Sequence, residues 1–220
     1  MRRNTTLAVL TVALSVAVTV AVYPDLPAEM AIHWDASGTA DDTTSRPIAA
    51  FLLPAITAGL LVLFGVIPRI DPLGENVAAF REYYDGFVVA LLLFMLYVQG
   101  LVLAANLPWV GEFEMTRAIL PATGVLFYAA GVVMERAERN WFVGIRTPWT
   151  LSSDEVWERT HKLGGRLFKL AGIVAVLGVL AGEYAIYFVV VPAVAVSIVA
   201  TVYSYYVYQQ VDESASAVGP

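Results

Sequence analysis

The sequence predicts an all-α integral membrane protein with six transmembrane helices and one short amphipathic helix on the cytoplasmic side. Two observations support this prediction. The chain of 220 residues is 59% hydrophobic and 15% charged, with a mean hydropathy of +0.70, whereas soluble domains are about 45–50% apolar and about 25% charged. The apolar residues also gather into long runs, and about 20 such residues cross the hydrocarbon core as a helix.

The long apolar runs define the predicted spans, which are residues 5–22, 47–67, 87–105, 118–134, 167–182 and 184–208. Helices are the only candidates, because these runs lack the alternation of membrane β-strands and a lipid-exposed backbone must satisfy its own hydrogen bonds. The first run could be mistaken for a signal peptide. It is too long for that and lacks a small-residue cleavage site, so an uncleaved helix is predicted.

The basic residues predict the orientation in the cell membrane. Of the 13 Lys and Arg residues, only Arg46 and Arg117 fall in connections that would lie outside if the N-terminus is inside. Cytoplasmic loops carry the excess of Lys and Arg. We therefore expect a multi-pass protein with both termini in the cytoplasm.

Two long loops divide the chain into units. Residues 1–67 form a predicted two-helix unit with an extracytoplasmic loop at 23–46. Residues 68–210 form a four-helix unit with a cytoplasmic loop at 135–166. The polar tail, residues 211–220, is predicted to be disordered.

The cytoplasmic loop has two parts. Gly144 and Pro148 interrupt any regular helix in its first part. Ser152 and Glu155 have the spacing of a capping box, which predicts an amphipathic helix over residues 153–163. Trp157 lies on the apolar face of this helix, so we expect it to pack against the inner ends of the spans.

The loop carries ten chemically distinctive residues in a fixed order, and together they resemble the signature of the SdpI family. They are Asn140, Phe142, Gly144, Arg146, Thr147, Pro148, Trp149, Trp157, His161 and Gly164. The segment 26–41 is similar to the domain of unknown function that often precedes this signature. Its distinctive residues are His33, Asp35, Gly38 and Asp41.

The family is named for an immunity protein against a secreted bacterial toxin, so the resemblance implies a binding and signalling protein. It implies protection from the toxin and retention of a cognate transcriptional repressor at the membrane. We hypothesise that the four outer residues recognise a secreted peptide toxin and that the ten cytoplasmic residues engage a winged-helix repressor. We expect no cofactor, no catalysis and no direct nucleic acid binding. A small-solute permease, or another membrane activity, is the alternative, which the scarcity of ionisable residues within the spans disfavours.

The outer residues also allow a second interpretation. His33, Asp35, Asp41 and Asp42 could form a metal site, although their spacing is not diagnostic. The simpler prediction is an Asx turn from Asp35 to Gly38 with solvated carboxylates.

Alternatives stay open in the second half of the chain too. His161 could carry protons, but a lone histidine on an amphipathic helix is more often a packing residue. The basic loop could bind an acidic protein, or simply the lipid phosphates of the bilayer. Gly178 and Gly182 predict a close-packing surface on the fifth span.

Overall fold

A computed structural model describes residues 2–35, 37–111 and 113–217. Over these residues the chain is mainly helical, and six of its helices are long and apolar enough to cross a membrane. The predicted all-α membrane architecture is therefore confirmed. The elements are α1 (Arg2–Val22), β1 (Glu29–Trp34), β2 (Ala40–Ser45), α2 (Arg46–Ile70), α3 (Gly74–Ala79), α4 (Arg81–Asn106), α5 (Met115–Met134), α6 (Pro148–Ser152), α7 (Asp154–Leu177) and α8 (Tyr187–Ala217), with 3₁₀ helices at Tyr23–Asp25 and Gly178–Tyr184.

The predicted amphipathic helix and the fifth span are one continuous helix, α7. The break expected between residues 163 and 167 is absent because Gly164 and Gly165 keep helical geometry and are buried. The capping prediction was wrong by one residue. Ser153 is the N-cap, and its hydroxyl accepts a hydrogen bond from the Val156 N–H at 3.4 Å. Ser152 instead ends α6.

Helix α6 is a short helix within a stretch that was expected to be irregular. Thr147 and Thr150 form a reciprocal capping box at its start. Pro148 occupies the first turn, where its missing N–H costs nothing because that donor has no helical partner. The proline thus starts a helix here and does not interrupt one.

The last helix also extends further than its apolar run. It continues to Ala217, into the segment 211–220 for which disorder is expected, while residues 218–220 lie outside the described part. Side-chain hydrogen bonds one turn apart support the extension, from Gln210 to Tyr206 at 2.8 Å and from Ser214 to the Gln210 carbonyl at 2.7 Å. Arg159 of α7 also donates to Gln210, at 3.0 Å.

The spans pack in two groups of three. Helices α1, α2 and α4 contact one another, α7 packs against both α5 and α8, and α4 meets α5 between the groups. Gln99 on α4 holds the first group together. Its amide donates to the Ser15 carbonyl at 2.8 Å and to the Thr19 hydroxyl at 2.7 Å, and its oxygen accepts from the Ser15 hydroxyl. The buried amide of Gln99 is thus fully used in helix packing.

Helices α5 and α7 approach closely along paired glycines. A Cβ placed on Gly124 would lie 2.6 Å from the Gly172 carbonyl oxygen, and one on Gly165 would lie 2.7 Å from that of Gly131. Small residues allow such close backbone contact between membrane helices. These four residues form the glycine seam of the second group.

The glycine pair predicted to pack the fifth span does not form one helical face. Gly178 is tightly packed against Phe188, but Gly182 has a φ of 60° in the turn that leads to α8. The close glycine contacts of this span lie earlier in α7, at Gly165 and Gly172.

Lys169, near the middle of α7, forms an ion pair with Glu135 at 2.8 Å.

The connections lie at two opposite ends of the bundle, because each span reverses the direction of the chain. We call them the hairpin end, which carries β1 and β2, and the motif end, which carries the loop from Glu135 to Ser153. The basic residues predict that the motif end is cytoplasmic.

We expect single cysteines at Ser37 and Ser152 to react from opposite sides of the membrane. Both residues are exposed, one at each end of the bundle, and the chain has no cysteine of its own. An impermeant thiol reagent should label the Ser37→Cys variant in intact cells and the Ser152→Cys variant only after lysis. Labelling of Ser152→Cys in intact cells would reverse the predicted orientation.

Candidate functional site

The motif loop begins with a turn that is organised by Asn140. Its side-chain oxygen accepts hydrogen bonds from the N–H groups of Phe142 at 2.9 Å and Val143 at 2.7 Å, and its amide donates to the carbonyls of Glu138 and Val143. The residue is completely buried. Asn140 therefore satisfies backbone groups that a tight turn would otherwise leave unpaired, as asparagine commonly does.

Asp71 fixes this turn to the connection after α2, and the sequence did not indicate it. Its carboxylate accepts hydrogen bonds from the Trp141 N–H at 3.0 Å and from the Leu73 N–H at 2.7 Å, and it is only 7% exposed. Asn76 donates to the Arg139 carbonyl nearby, at 2.7 Å. Its position just after the second predicted span was the only signal in the sequence, and acidic residues at such positions are common.

Gly144, Trp157 and His161 form the packed centre of the motif. Gly144 has a φ of 121°, and a Cβ there would overlap the imidazole of His161. Trp157 stacks on that imidazole with ring centroids 3.9 Å apart, and both rings are 2% exposed. The expected burial of Trp157 is confirmed.

His161 is held in one neutral tautomer by its two hydrogen bonds. Its Nε2 accepts from the Ile145 N–H at 2.9 Å, so Nε2 carries no proton. Its Nδ1 lies 2.8 Å from the Trp157 carbonyl and must donate to it. This arrangement favours the packing role over the proton-carrying role, because both nitrogens are occupied by backbone groups.

The motif also contacts the last helix. The Trp149 indole N–H donates to the Ser204 hydroxyl, and the indole ring lies edge-on to Tyr205 with centroids 5.2 Å apart. The Thr147 hydroxyl is 3.4 Å from Ser204. The two motif residues therefore connect α6 to α8.

Among the exposed residues of the motif loop, three form what we call the loop patch: Trp141, Phe142 and Arg146. Trp141 is 50% exposed and Phe142 is 38% exposed. The Arg146 guanidinium donates to the Trp141 carbonyl at 2.7 Å, which holds the charge beside the aromatic rings. Gly164 lies on the opposite, buried side, where a Cβ would lie 2.5 Å from the Ile145 side chain.

A cleft of about 470 Å³ opens beside the motif and is lined by residues of both charges. Arg139 pairs with Asp154 at 2.6 Å, and Lys162 pairs with Glu158 at 2.6 Å. Arg136 lies over the Tyr83 ring, 5.2 Å from its centroid. The cations of the cleft thus have partners within the chain.

At the other end, the outer loop forms an antiparallel hairpin that was not predicted as strands. Its turn is the predicted Asx turn, which is confirmed. The Asp35 carboxylate accepts from the N–H groups of Ser37 at 2.8 Å and Thr39 at 3.0 Å, and Gly38 has a φ of 84°. The Ser37 hydroxyl also donates to Asp35 at 2.6 Å. These hydrogen bonds, from the Ser37 hydroxyl first and the Thr39 N–H next, lower the pKa of Asp35.

His33 and Asp41 pair across the hairpin with the imidazole Nδ1 2.5 Å from the carboxylate. Asp35 is not part of this pair, because its carboxylate accepts the hydrogen bonds of the turn. Within the described residues, no three His, Asp or Glu side chains are arranged to hold a metal ion. The structure thus brings two of the predicted recognition residues together and assigns Asp35 and Gly38 to the turn.

We expect the pKa of His33 to lie above its ordinary value of about 6.5. The hydrogen bond to Asp41 raises it most, followed by the charge of that carboxylate. Because the pKa is higher in the folded hairpin, the pair stabilises the hairpin fully at pH values below the ordinary pKa. This stabilisation is lost as the pH rises through the raised pKa. An NMR titration of the two histidines, with His33→Gln for assignment, measures this pKa. Asp41→Asn should return it to the ordinary range, and an unchanged pKa in that variant would contradict the pairing.

Comparisons with known proteins found matches to two separate parts of the chain. Residues 136–204 match the SdpI/YfhL protein family, and residues 10–58 match a domain of unknown function, DUF1648. The chain is similar to the immunity protein SdpI of Bacillus subtilis (strain 168), with 26% identity over 215 residues that cover 97% of this chain and 100% of that protein. No solved structure matches the chain.

Proposed function

This chain belongs to the SdpI family through residues 136–204, and from that premise we propose that it confers resistance to a secreted, membrane-active peptide. The observation that carries the proposal is the similarity to an immunity protein along nearly the whole length of both chains. Because the match includes the hairpin as well as the motif loop, it extends to both ends of the bundle.

The interior of the first helix group supports a binding protein over a permease. Coupled transporters place ionisable or polar groups along a path through the membrane. Here the buried Gln99 is committed to Ser15 and Thr19, so it serves the contact between α1 and α4.

We further propose that the loop patch transmits peptide binding to a cytoplasmic DNA-binding repressor of the winged-helix class. The patch joins two exposed aromatic rings to one arginine, and aromatic residues and arginine are the types most enriched in protein interfaces. The buried turn at Asn140 and the capped helix α6 would hold this patch in a fixed shape. The lipid headgroups are the alternative contact for the same surface.

The resistance proposal is tested by deleting the gene and complementing the strain. Cells are exposed to peptides secreted by neighbouring strains, and survival is compared between the deletion strain, the parent and the complemented strain. We expect the deletion strain to be sensitive to at least one peptide and the complemented strain to recover. Equal survival of deletion strain and parent against every peptide would refute the proposal.

Resistance and signalling should be separable by changing Arg146. The Arg146→Ala variant removes an exposed charge and one hydrogen bond to a loop carbonyl, so the bundle should remain intact. We expect expression of the neighbouring operon to lose its response to peptide, while survival changes little. Arg166→Ala, which removes an exposed arginine further along α7, is the matched control and should retain both. Loss of both functions in Arg146→Ala, or of neither, would contradict a signalling role for the patch.

A further inference from the structure

The two edges of the hairpin differ, because one is already covered. The Asn106 side chain, at the end of α4, accepts a hydrogen bond from the Ala31 N–H at 2.8 Å and donates one to the Ala31 carbonyl at 3.0 Å. The amide therefore pairs with β1 as a neighbouring strand would. This closes the free edge of β1.

The register then determines which backbone groups of β2 face outwards. Ala31 lies opposite Thr43. Since both backbone groups of Ala31 point away from β2, this is a pair without direct hydrogen bonds, and in such pairs the partner's groups also point away. The N–H and C=O of Thr43 therefore face the outer edge of β2. The Arg46 N–H donates to the Ala28 carbonyl at 2.9 Å, which fits the same alternation.

This outer edge is open. Thr43 and its neighbours Asp41 and Asp42 are exposed, and in the described part of the chain no third strand pairs with β2. An unpaired strand edge is a template for another extended chain.

The charge of the outer loop indicates which kind of peptide could pair with the open edge of β2. The segment from residue 23 to residue 46 contains five Asp and Glu residues, one Arg and no Lys. Arg46 is directed away from β2, since it donates to the Leu26 carbonyl at 3.0 Å and lies over the Tyr23 ring. Two copies of β2 would bring their acidic residues close together, and like charges repel. A strand that carries lysine or arginine would instead be attracted to these acidic residues.

We propose that the outer edge of β2 binds an extended, cationic peptide segment by strand addition, centred on the backbone of Thr43. The proposal deepens the proposed function, on which it rests, by naming the binding mode and the charge of the peptide. Backbone hydrogen bonds would supply the pairing, and the acidic side chains would select for lysine or arginine.

The test uses the full-length protein in phosphatidylcholine nanodiscs and a fluorescent decapeptide of alternating lysine and valine. A second decapeptide of the same sequence has every backbone nitrogen methylated, which removes its donors, and a third has glutamate in place of lysine. We expect the first peptide to bind about tenfold more tightly than either of the others. Equal binding of the methylated and unmethylated peptides would overturn the proposal. This comparison needs only the unaltered protein.

Protein variants locate the binding edge. Thr43→Pro removes the outward N–H and should weaken binding about tenfold, whereas Thr43→Val keeps the backbone and should bind normally. Asp42→Asn should weaken binding about threefold at low salt, and Asp25→Asn, at the same end of the bundle, should have no effect. The His33 titration reports whether the hairpin of Thr43→Pro is intact. Normal binding by an intact Thr43→Pro variant overturns the proposal.

The cell assay separates this proposal from the one on which it rests. If deletion of the gene leaves cells fully resistant, the proposed function fails while the binding data still decide whether the edge accepts a strand. If the deletion strain is sensitive but Thr43→Pro restores full resistance, the immunity function stands and strand addition at β2 is overturned as its basis.

Discussion

The Trp157→Ala variant is expected to lose about 3–5 kcal/mol of unfolding free energy, the range for removal of a buried large aromatic side chain. Trp157 is 2% exposed and belongs to the core that joins the motif loop to α2, α4 and α5. Its indole N–H donates to the Ala137 carbonyl at 2.7 Å. Alanine would leave a cavity beside His161 and an unpaired buried carbonyl, and the measurement is the unfolding transition of the purified protein in a mild detergent.

Two control variants show which part of Trp157 contributes. Trp157→Phe keeps an aromatic ring against His161 but leaves the Ala137 carbonyl unpaired, so it should cost about 1–3 kcal/mol. Glu158→Ala changes the adjacent residue, whose side chain is 66% exposed in an ion pair with Lys162. Exposed pairs contribute little, so this variant should stay within about 0.5 kcal/mol of the parent. Similar losses for Trp157→Ala and Glu158→Ala would contradict the packing described here.

The second large effect is expected at the glycine seam. In Gly172→Ala, the new methyl group would lie 2.8 Å from the Tyr128 backbone nitrogen and still closer to the Gly124 carbonyl. Backbone atoms cannot rotate away as a side chain can, so α5 and α7 would have to separate. We expect a loss of about 1–3 kcal/mol or more, as for other overpacked sites, measured by the same unfolding transition.

Gly100→Ala is the matched control for the seam. Gly100 lies on the exposed side of α4, and a Cβ there meets nothing within 4 Å. Alanine is favoured over glycine within a helix by about 1 kcal/mol, so this variant should be as stable as the parent or more stable. The two glycine-to-alanine substitutions should therefore change the unfolding free energy in opposite directions. A destabilised Gly100→Ala with an unaffected Gly172→Ala would show that the close contact between α5 and α7 is wrong.

The residues of the motif show which structural roles a sequence pattern leaves undetermined. The string from Asn140 to Gly164 resembles the SdpI signature and lies within the region that matches the family. It did not separate residues that build the loop from those that could meet a partner. In the structure Asn140 and His161 are buried and hydrogen-bond to backbone groups, while Arg146 is exposed with the aromatic residues beside it.

Hydropathy and local patterns determined the spans, the Asx turn at Asp35 and the apolar face that buries Trp157. These features depend on residues close together in the chain: a bilayer demands a continuous apolar segment, and a turn or helix face follows from neighbouring side chains. Only the tertiary structure decided that Asp71 holds the Trp141 N–H, that Gly124 meets Gly172, and that Asn106 closes the edge of β1. Each of these contacts joins residues about 50 or more positions apart, and no local pattern specifies which polar or small residue will find which partner across a folded bundle.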